Sequence, residues 1–217
     1  MAKESLKKIW YWLAQWGCRV FCVLFFRFRT YGRENVPEEG AVVLVGNHQS
    51  YLDPVFCGVG LKRHLFFVAR DSLFVNRFFA WLIYSLNAIP VKRGKADISA
   101  MKMVISRLKE GKGVCLFPEA TRTRDGKIST FKGGFGLLCR RGEAAVVPVL
   151  IDGAYECWPR NKKIFSAGSI VVCYGEAIPA ERVKKISDKE LAKNLTETLR
   201  EMQKSCRVKQ GKEPYRY

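Results

Sequence analysis

The sequence predicts an α/β fold: a mixed central sheet flanked by helices, preceded by a helical segment that associates with a membrane interface. After Gly32, short apolar runs alternate with helical stretches, as in α/β proteins. The 217 residues are enough for one domain that buries its own core. Residues 9–28 form a single long aromatic stretch. We therefore expect a membrane-associating segment over residues 1–30 and an α/β domain over residues 31–217.

Six apolar runs are candidate strands, with helices between them. The predicted strands are 41–45, 65–69, 87–91, 113–117, 145–151 and 169–174. The predicted helices lie near 50–60, 72–85, 97–110, 132–141 and 188–205. Asp97 is a good N-cap and Gly111 a good stop for the 97–110 helix. Pro148 inside a strand-like run indicates an edge, a bulge or a break.

The stretch "IWYWLAQWGCRVFCVLFFRF" at 9–28 is apolar around nearly its whole circumference. Because Gln15, Arg19 and Arg27 interrupt it, it offers no clean apolar span of about 20 residues. Its tryptophans favour the boundary between headgroups and acyl chains, and its basic residues can pair with lipid phosphates. We interpret it as a helix lying in one leaflet. A core helix of a soluble protein and a single-pass anchor are the alternatives.

The chain is strongly basic, with 38 Lys and Arg against 20 Asp and Glu and a formal charge of +18. Such a charge predicts attraction to anions, which here means anionic lipid or nucleic acid. The sequence has no helix-turn-helix, zinc-finger or RNP signature, and its basic residues are dispersed along the chain. We therefore expect a membrane lipid surface as partner and no nucleic acid. A basic nucleic-acid-binding protein is the rival hypothesis.

The eight cysteines are scattered, and no two form a CxxC pair. This spacing is typical of reduced, buried thiols in a reducing compartment. It does not fit a disulfide framework or a zinc site, and we expect no metal.

The segment "VGNHQSYLDP" at 45–54 places His48, one of only two histidines, between a predicted strand and a predicted helix. If the helix begins near Ser50, Asp53 lies in its first turn and can reach back to the imidazole. Such a carboxylate selects one tautomer and stabilises the imidazolium, so the pair can act as a general base and its orienting group. The alternative is an ordinary helix cap beside a loop histidine.

The chain lacks the GxSxG pattern of a serine nucleophile. Cys57 or Cys115 could partner His48, although Cys115 lies within an apolar strand and is expected to be inert. A base without a protein nucleophile indicates that the substrate supplies its own hydroxyl. His64, the other histidine, is expected to be a surface or boundary residue.

The segment "LFPEATRTRDGKI" at 116–128 carries a cluster of cations at a strand end. Ligands of open α/β sheets bind at the carboxyl ends of strands, and the arginine fork suits phosphate oxygens. Arg122 is therefore the best candidate for a substrate phosphate. A solvated basic loop with a turn at Asp125 and Gly126 is the alternative.

Four motifs in order resemble those of the glycerolipid acyltransferases, most closely the bacterial 1-acylglycerol-3-phosphate acyltransferases. "NHQSYLD" at 47–53 is similar to their NHxSxxD block, and "IPVKR" at 89–93 to the block that ends in arginine. "FPEATRT" at 117–123 is similar to FPEGTRS, and "VVPV" at 146–149 to the fourth block. The resemblance covers roughly residues 28–180.

The resemblance implies transfer of an acyl chain from acyl-CoA or acyl-carrier protein to the hydroxyl of a lysophospholipid, with no cofactor besides that donor. It makes His48 the base and Asp53 its partner. It assigns Arg93 and Arg122 to the acceptor phosphate, Glu119 to the same binding block, and Arg70 to a further phosphate contact. The acceptor is expected to be 1-acylglycerol 3-phosphate, with glycerol 3-phosphate or another lysophospholipid as alternatives.

The resemblance also implies a location at the cytoplasmic face of a membrane, such as a bacterial inner membrane. Backbone amides near 46–49 or at the helix start are candidates for stabilising the oxyanion. Ala120 stands where the family has glycine. If that position has a positive φ angle, alanine is strained there, with consequences for acceptor preference.

Overall fold

The computed structural model describes residues 2–92 and 97–217, with side chains from residue 5 onward, and its centre is a seven-stranded mixed sheet. The strands are β1 (Arg29–Tyr31), β2 (Val42–Gly46), β3 (Leu65–Arg70), β4 (Ala88–Val91), β5 (Gly113–Leu116), β6 (Ala145–Asp152) and β7 (Val171–Tyr174). The helices are α1 (Ala2–Phe26), α2 (Asp53–Val59), α3 (Arg77–Ser85), α4 (Ile98–Lys109), α5 (Phe135–Arg141), α6 (Ala154–Cys157), α7 (Ala180–Lys185) and α8 (Asp188–Lys209). Short 3₁₀ helices lie at Arg33–Asn35 and Asp71–Phe74.

The strands lie side by side in the order β1-β7-β6-β2-β5-β3-β4. All neighbouring pairs are parallel except β6 and β7, which are antiparallel. Val45 of β2 is paired with Leu116 of β5 on one side and with Pro148 of β6 on the other. Because β2, β3 and β5 run in the same direction, the loops that follow them meet at one edge of the sheet.

Two apolar layers cover the two faces of this sheet. Val43 and Val45 of β2 pack with α4, α5 and α8, whereas Val42 and Leu44 pack with α1 and α2. Since both faces are covered, β2 is fully buried along its length, which explains its unbroken apolar sequence. The layers fix β2 and β5 rigidly beneath the loops that follow them.

All six predicted strands and all five predicted helices are confirmed in place, with small shifts in their ends. The predicted 72–85 helix is divided into the 3₁₀ helix at Asp71–Phe74 and α3. The Asp97 side chain accepts a hydrogen bond from the Ala100 amide at 3.0 Å, which confirms the predicted N-cap. Gly111 follows α4 with a φ of 72°, a conformation that glycine adopts at low cost.

Pro148 lies in the interior of the sheet, so of the three predicted alternatives, an edge, a bulge or a break, the edge strand was wrong. β6 continues through it from Ala145 to Asp152, and β2 pairs with it. On the other side, the β7 ladder stops at Val149, and the Pro148 carbonyl accepts from the Gly175 amide at 2.8 Å. Antiparallel pairing resumes at Val146 and Ile178 with one extra residue on the partner side. The missing proline N–H therefore lies in an irregular stretch of the ladder, as the predicted bulge or break requires.

The first helix, α1, runs over α2 on one face of the molecule. The Gln15 amide holds it there by donating to the carbonyls of Gly58 and Leu61 at 2.8 and 2.9 Å. Although charged residues interrupt it, Ser5–Phe26 is long and apolar enough to cross a membrane, so the single-pass alternative stays open; core helices of soluble proteins and signal sequences pass the same test. Only 17% of the most apolar part of this helix is buried within the protein, which disfavours the alternative of a core helix.

Candidate active site

His48 and Asp53 meet at the edge of the sheet, in the loop between β2 and α2. The His48 Nδ1 atom lies 2.7 Å from Asp53 Oδ2. The imidazole also stacks on Phe117, the residue after β5, with 4.7 Å between ring centroids. Because a carboxylate accepts only, this contact assigns the proton of a neutral imidazole to Nδ1 and leaves the lone pair on Nε2. The pair predicted from the sequence is therefore formed, with Nε2 available as the base.

Asp53 is fully buried and organises the turn that holds His48. Its Oδ2 atom also accepts from the backbone amides of Gln49 and Ser50, at 2.5 and 2.7 Å. Asp53 is the first residue of α2 and Pro54 the second, a position where a proline costs no hydrogen bond. One carboxylate thus fixes both the turn and the imidazole.

These contacts change the expectation for the oxyanion. The His48, Gln49 and Ser50 amides already donate to the carboxylates of Glu119 and Asp53. These three donors are therefore occupied, and the prediction of an oxyanion site at amides near 46–49 or at the helix start stays a prediction for the other amides of that range.

Glu119 connects the two loops of the site. Its Oε1 atom accepts from the His48 amide at 2.8 Å and its Oε2 atom from the Ser129 amide at 3.1 Å. Burial raises the pKa of this carboxyl, and the amides of His48 and Ser129 partly offset that effect. The contacts that the structure shows are thus with backbone, and the assignment of Glu119 to substrate binding stays a prediction.

Arg122 lies on the loop after β5, which the Thr123 amide joins to the His48 carbonyl at 2.8 Å. Its guanidinium stacks on Tyr51, with the Cζ atom 3.4 Å from the ring centroid. Its Nη1 atom is buried and has no hydrogen-bond partner among the described residues. A buried cationic donor without a partner is costly, so this atom is well suited to an anionic ligand.

Asn47 and Gln49, on either side of His48, hold the loop to the rest of the fold. The Asn47 amide exchanges two hydrogen bonds with the backbone of Ile151 in β6, at 2.8 and 2.9 Å. The Gln49 carbonyl accepts from the Tyr155 amide at 3.1 Å, and its amino group donates to the Gly126 carbonyl at 3.2 Å. Sequence reasoning missed both residues. Two buried amides directly after a buried strand were a usable signal, because such groups require partners.

Ala120 has a φ of 58°, in the left-handed region that favours glycine. Its amide donates to the Phe117 carbonyl at 3.0 Å and closes the turn between β5 and Arg122. Residue 120 thus has the positive φ angle at which an alanine is strained, and the resemblance predicts glycine there.

The remaining predicted residues are less directly connected to this cluster. Arg70 ends β3 with an exposed side chain, at the same edge of the sheet. Arg93 lies outside the described residues, so its role stays a prediction. Cys57 and Cys115 are both fully buried in the apolar core, and the neighbouring Cys115 thiol together with burial raises the pKa of Cys57 well above its ordinary value. The possibility of a cysteine partner was wrong.

A metal site is not formed by the part of the chain that the structure describes, where no three His, Cys, Asp or Glu side chains cluster suitably. All eight cysteines are free thiols, and six of them are buried.

Comparison with known proteins places this constellation in a family. The acyltransferase family model matches residues 27–152, which include β2, β5 and both loops of the site. The 1-acyl-sn-glycerol-3-phosphate acyltransferase of Bacillus subtilis is 29% identical over 172 residues, covering 79% of this chain and 83% of that protein. The chloroplast enzyme LPAT1 of Arabidopsis thaliana is 28% identical over 170 residues. This chain spans about half the length of LPAT1 and of a similar chloroplast protein from Brassica napus.

The fold is also similar to a solved structure, that of the 1-acyl-sn-glycerophosphate acyltransferase PlsC from Thermotoga maritima. The TM-score is 0.79 at 28% identity, and the match covers 91% of this chain and 79% of the other. Three observations support the same family: the order of the motifs, the fold, and the match of the family model to more than half of the residues. This chain therefore belongs to the acyltransferase family.

Proposed function

We propose that the protein transfers an acyl chain from acyl-CoA or acyl-carrier protein to the free hydroxyl of 1-acylglycerol 3-phosphate, giving phosphatidic acid. The observation that carries the proposal is the contact of 2.7 Å between His48 Nδ1 and the buried Asp53, beside a guanidinium with an unpartnered donor. The relatives named for this activity support the acceptor.

The proposed chemistry needs one base, because a thioester is already activated for acyl transfer. His48 Nε2 takes the acceptor's hydroxyl proton while the hydroxyl oxygen bonds to the thioester carbonyl carbon. Asp53 stabilises the imidazolium that forms. When the tetrahedral intermediate collapses, the C–S bond breaks and the imidazolium returns the proton to the leaving thiolate. No acyl-enzyme is formed.

Arg122 is the proposed group for the acceptor phosphate. Its loop is joined to His48 through the Thr123 amide, so a phosphate bound there holds the acceptor near Nε2. Such positioning lowers the barrier by converting an encounter into a reaction within one complex. Arg70 and Arg93 are proposed as further phosphate contacts, and Glu119 as part of the same binding block.

Association with a membrane is part of the proposal, because the acceptor and the product are both lipids. The exposed side chains of α1 include Trp12 and Trp16, and the chain carries a formal charge of +18. Each Lys or Arg near an anionic leaflet adds on the order of 1 kcal/mol to surface binding, attenuated by salt. We propose that α1 lies in the cytoplasmic leaflet. Release from membranes by detergent supports this, whereas release by salt alone supports the nucleic-acid rival.

The test is to give the purified protein a labelled acyl donor, as CoA or carrier-protein thioester, with a panel of acceptors. Phosphatidic acid from 1-acylglycerol 3-phosphate is the expected product. A product from glycerol 3-phosphate or lysophosphatidylcholine alone would move the acceptor to those alternatives.

The role of Arg122 is tested in the same assay with Arg122→Met and, as a matched control, Arg124→Met on the same loop. Loss of a charged hydrogen bond, about 1.5–3 kcal/mol, predicts roughly a 10- to 140-fold rise in KM for the phosphate acceptor. The control is expected to stay near the parent value because Arg124 is exposed. An unchanged KM in Arg122→Met would place the phosphate elsewhere.

A further inference from the structure

We propose that a second surface, made by α3 and the turn before it, also inserts into the lipid leaflet. It is named here the α3 face. Large apolar side chains cover it and are unusually exposed: Leu73, Val75, Phe78, Phe79, Trp81 and Tyr84. Val75 is 81% and Phe78 72% exposed, and Ala80 is the one buried residue of α3. A contiguous aromatic surface of this kind marks an interaction site.

The α3 face is continuous with the exposed side of α1. The Trp10 and Trp81 rings lie 6.0 Å apart, and Trp10 Nε1 donates to Ser85 Oγ at 2.9 Å. Trp81 in turn contacts Phe78, with 6.1 Å between ring centroids. The exposed apolar surface of α1, the helix proposed to lie in the leaflet, thus adjoins the α3 face at the contact of Trp10 with Trp81. Insertion of α1 into a leaflet would therefore bring the α3 face to the same leaflet.

Charge also favours an anionic lipid surface as the occupant. Asp71, at the start of the turn, is the one acidic residue between Arg70 and Lys92, whereas Arg70, Arg77 and Lys92 are cations on the same stretch. Tryptophan, tyrosine and phenylalanine bordered by cations are the composition of protein segments at the level of lipid headgroups. A second copy of this basic chain is the less favourable occupant, because its own charge opposes the contact.

The α3 face lies close in sequence to the edge of the sheet that carries the candidate active site. β3 ends at Arg70, beside β5 and at the edge of the sheet where His48 lies, and the α3 region follows directly. Contact of both α1 and α3 with the leaflet would turn this edge toward the lipid. This consequence rests on the proposed function, whereas the lipid contact itself does not.

The test compares two valines in the full chain, Val75→Gln and Val208→Gln. Val208 of α8 is 59% exposed and lies outside the α3 face, so it is the matched control. Partitioning of each purified variant into phosphatidylcholine vesicles containing phosphatidylglycerol is measured by sedimentation. Phe78→Gln is added because its side chain has the larger apolar area. If these side chains are buried in the leaflet, replacing either one with glutamine predicts about tenfold weaker partitioning for Val75→Gln and Phe78→Gln. The control should stay within about twofold, as an exposed residue outside the contact.

Two results would overturn the inference. One is equal partitioning of all variants; the other is a fall in the self-associated mass of the α3 variants in solution, which would identify a second copy as the occupant. Activity on a short-chain, water-soluble acceptor separates this inference from the proposed function. Failure of that reaction in the parent protein contradicts the function, and the vesicle result still decides the surface.

Discussion

At the scale of single residues, the short spacing between His48 and Asp53 made their contact predictable. Five positions separate them, and a buried strand before and a helix after leave the chain few conformations. The partners of Arg122 and Glu119 were not predictable in this way. Their contacts with Tyr51 and the His48 amide join loops that are distant in sequence, and only the sheet register brings those loops together.

Tyr51 is expected to position Arg122, because its ring lies against the guanidinium. Tyr51→Leu removes this contact, worth about 0.5–2 kcal/mol, and predicts roughly a 2- to 30-fold rise in acceptor KM. The donor KM and kcat should change little, and Tyr51→Phe, which keeps the ring face, should restore the acceptor KM. A rise in both KM values, or no rescue by phenylalanine, would indicate a general structural role.

Ala120 is expected to cost stability through its φ of 58°. A left-handed backbone conformation costs a non-glycine residue roughly 1–2 kcal/mol. Replacement by glycine removes this cost, but the greater backbone entropy of glycine in the unfolded state offsets about half of the gain. Ala120→Gly should therefore raise the free energy of unfolding by up to about 1 kcal/mol in urea titrations.

Glu143→Gly is the control for this prediction, since Glu143 has a φ of 50° just after α5 and its ion pair with Lys184 is exposed and therefore worth little. A similar gain is expected there, without a change in acceptor preference. Loss of stability in Ala120→Gly beside a gain in Glu143→Gly would show that the alanine side chain makes a compensating contact.

At the scale of elements, long periodic segments were predictable and short ones were not. The strand at Arg29–Tyr31 has three residues and α6 has four, too few for a hydrophobic period to be recognised. The α7 sequence AERVKK is charged and buries only Val183, so nothing in it indicated a packed helix. The sequence could not choose between an edge, a bulge and a break at Pro148, because the irregular pairing on its β7 side is a property of the assembled sheet.

The cap of α4 gives a prediction about pH. Hydrogen bonds from the Lys92 and Ala100 amides lower the pKa of Asp97 from 3.8 to about 2. Since the folded pKa is below the unfolded one, this contribution to stability is complete above about pH 4 and is lost as the pH falls toward 2.

Asp97→Asn keeps a capping oxygen but removes the charge. The difference in unfolding free energy between the parent and this variant should therefore shrink as the pH falls from about 4 to about 2. A difference that stays constant over that range would show that the charge of Asp97 makes no contribution.

At the scale of the whole molecule, the sequence predicted a mixed sheet. It did not predict that β7 is antiparallel to β6, or how α8 is connected to the sheet. A buried ion pair contributes to that connection: Arg207 Nη1 of α8 lies 3.3 Å from the fully buried Asp152 at the end of β6, and the same nitrogen lies 2.8 Å from Glu156 of α6. Burial raises the pKa of Asp152, and Arg207 partly offsets the effect. Nothing local in the sequence relates the two residues.

Removal of one partner from this buried pair is expected to destabilise the fold. Arg207→Gln should lower the free energy of unfolding by about 3 kcal/mol, and adding Asp152→Asn should recover part of it. Without Arg207 the folded pKa of Asp152 rises further above its unfolded value, so stability is lost as the pH rises. The deficit should thus be larger near pH 7 than near pH 5. Additive losses in the double variant would argue against direct coupling.

The central claim is that His48 Nε2 is the general base, and the chain contains a natural control in its other histidine. His64 stacks on Tyr11 of α1 with 4.0 Å between ring centroids, away from the site. The measurement is kcat for phosphatidic acid formation by folded His48→Ala and His64→Ala, with folding checked by circular dichroism. General-base catalysis predicts a loss of about 10²- to 10⁴-fold in His48→Ala and less than about threefold in His64→Ala. Near-normal turnover by folded His48→Ala would contradict the account.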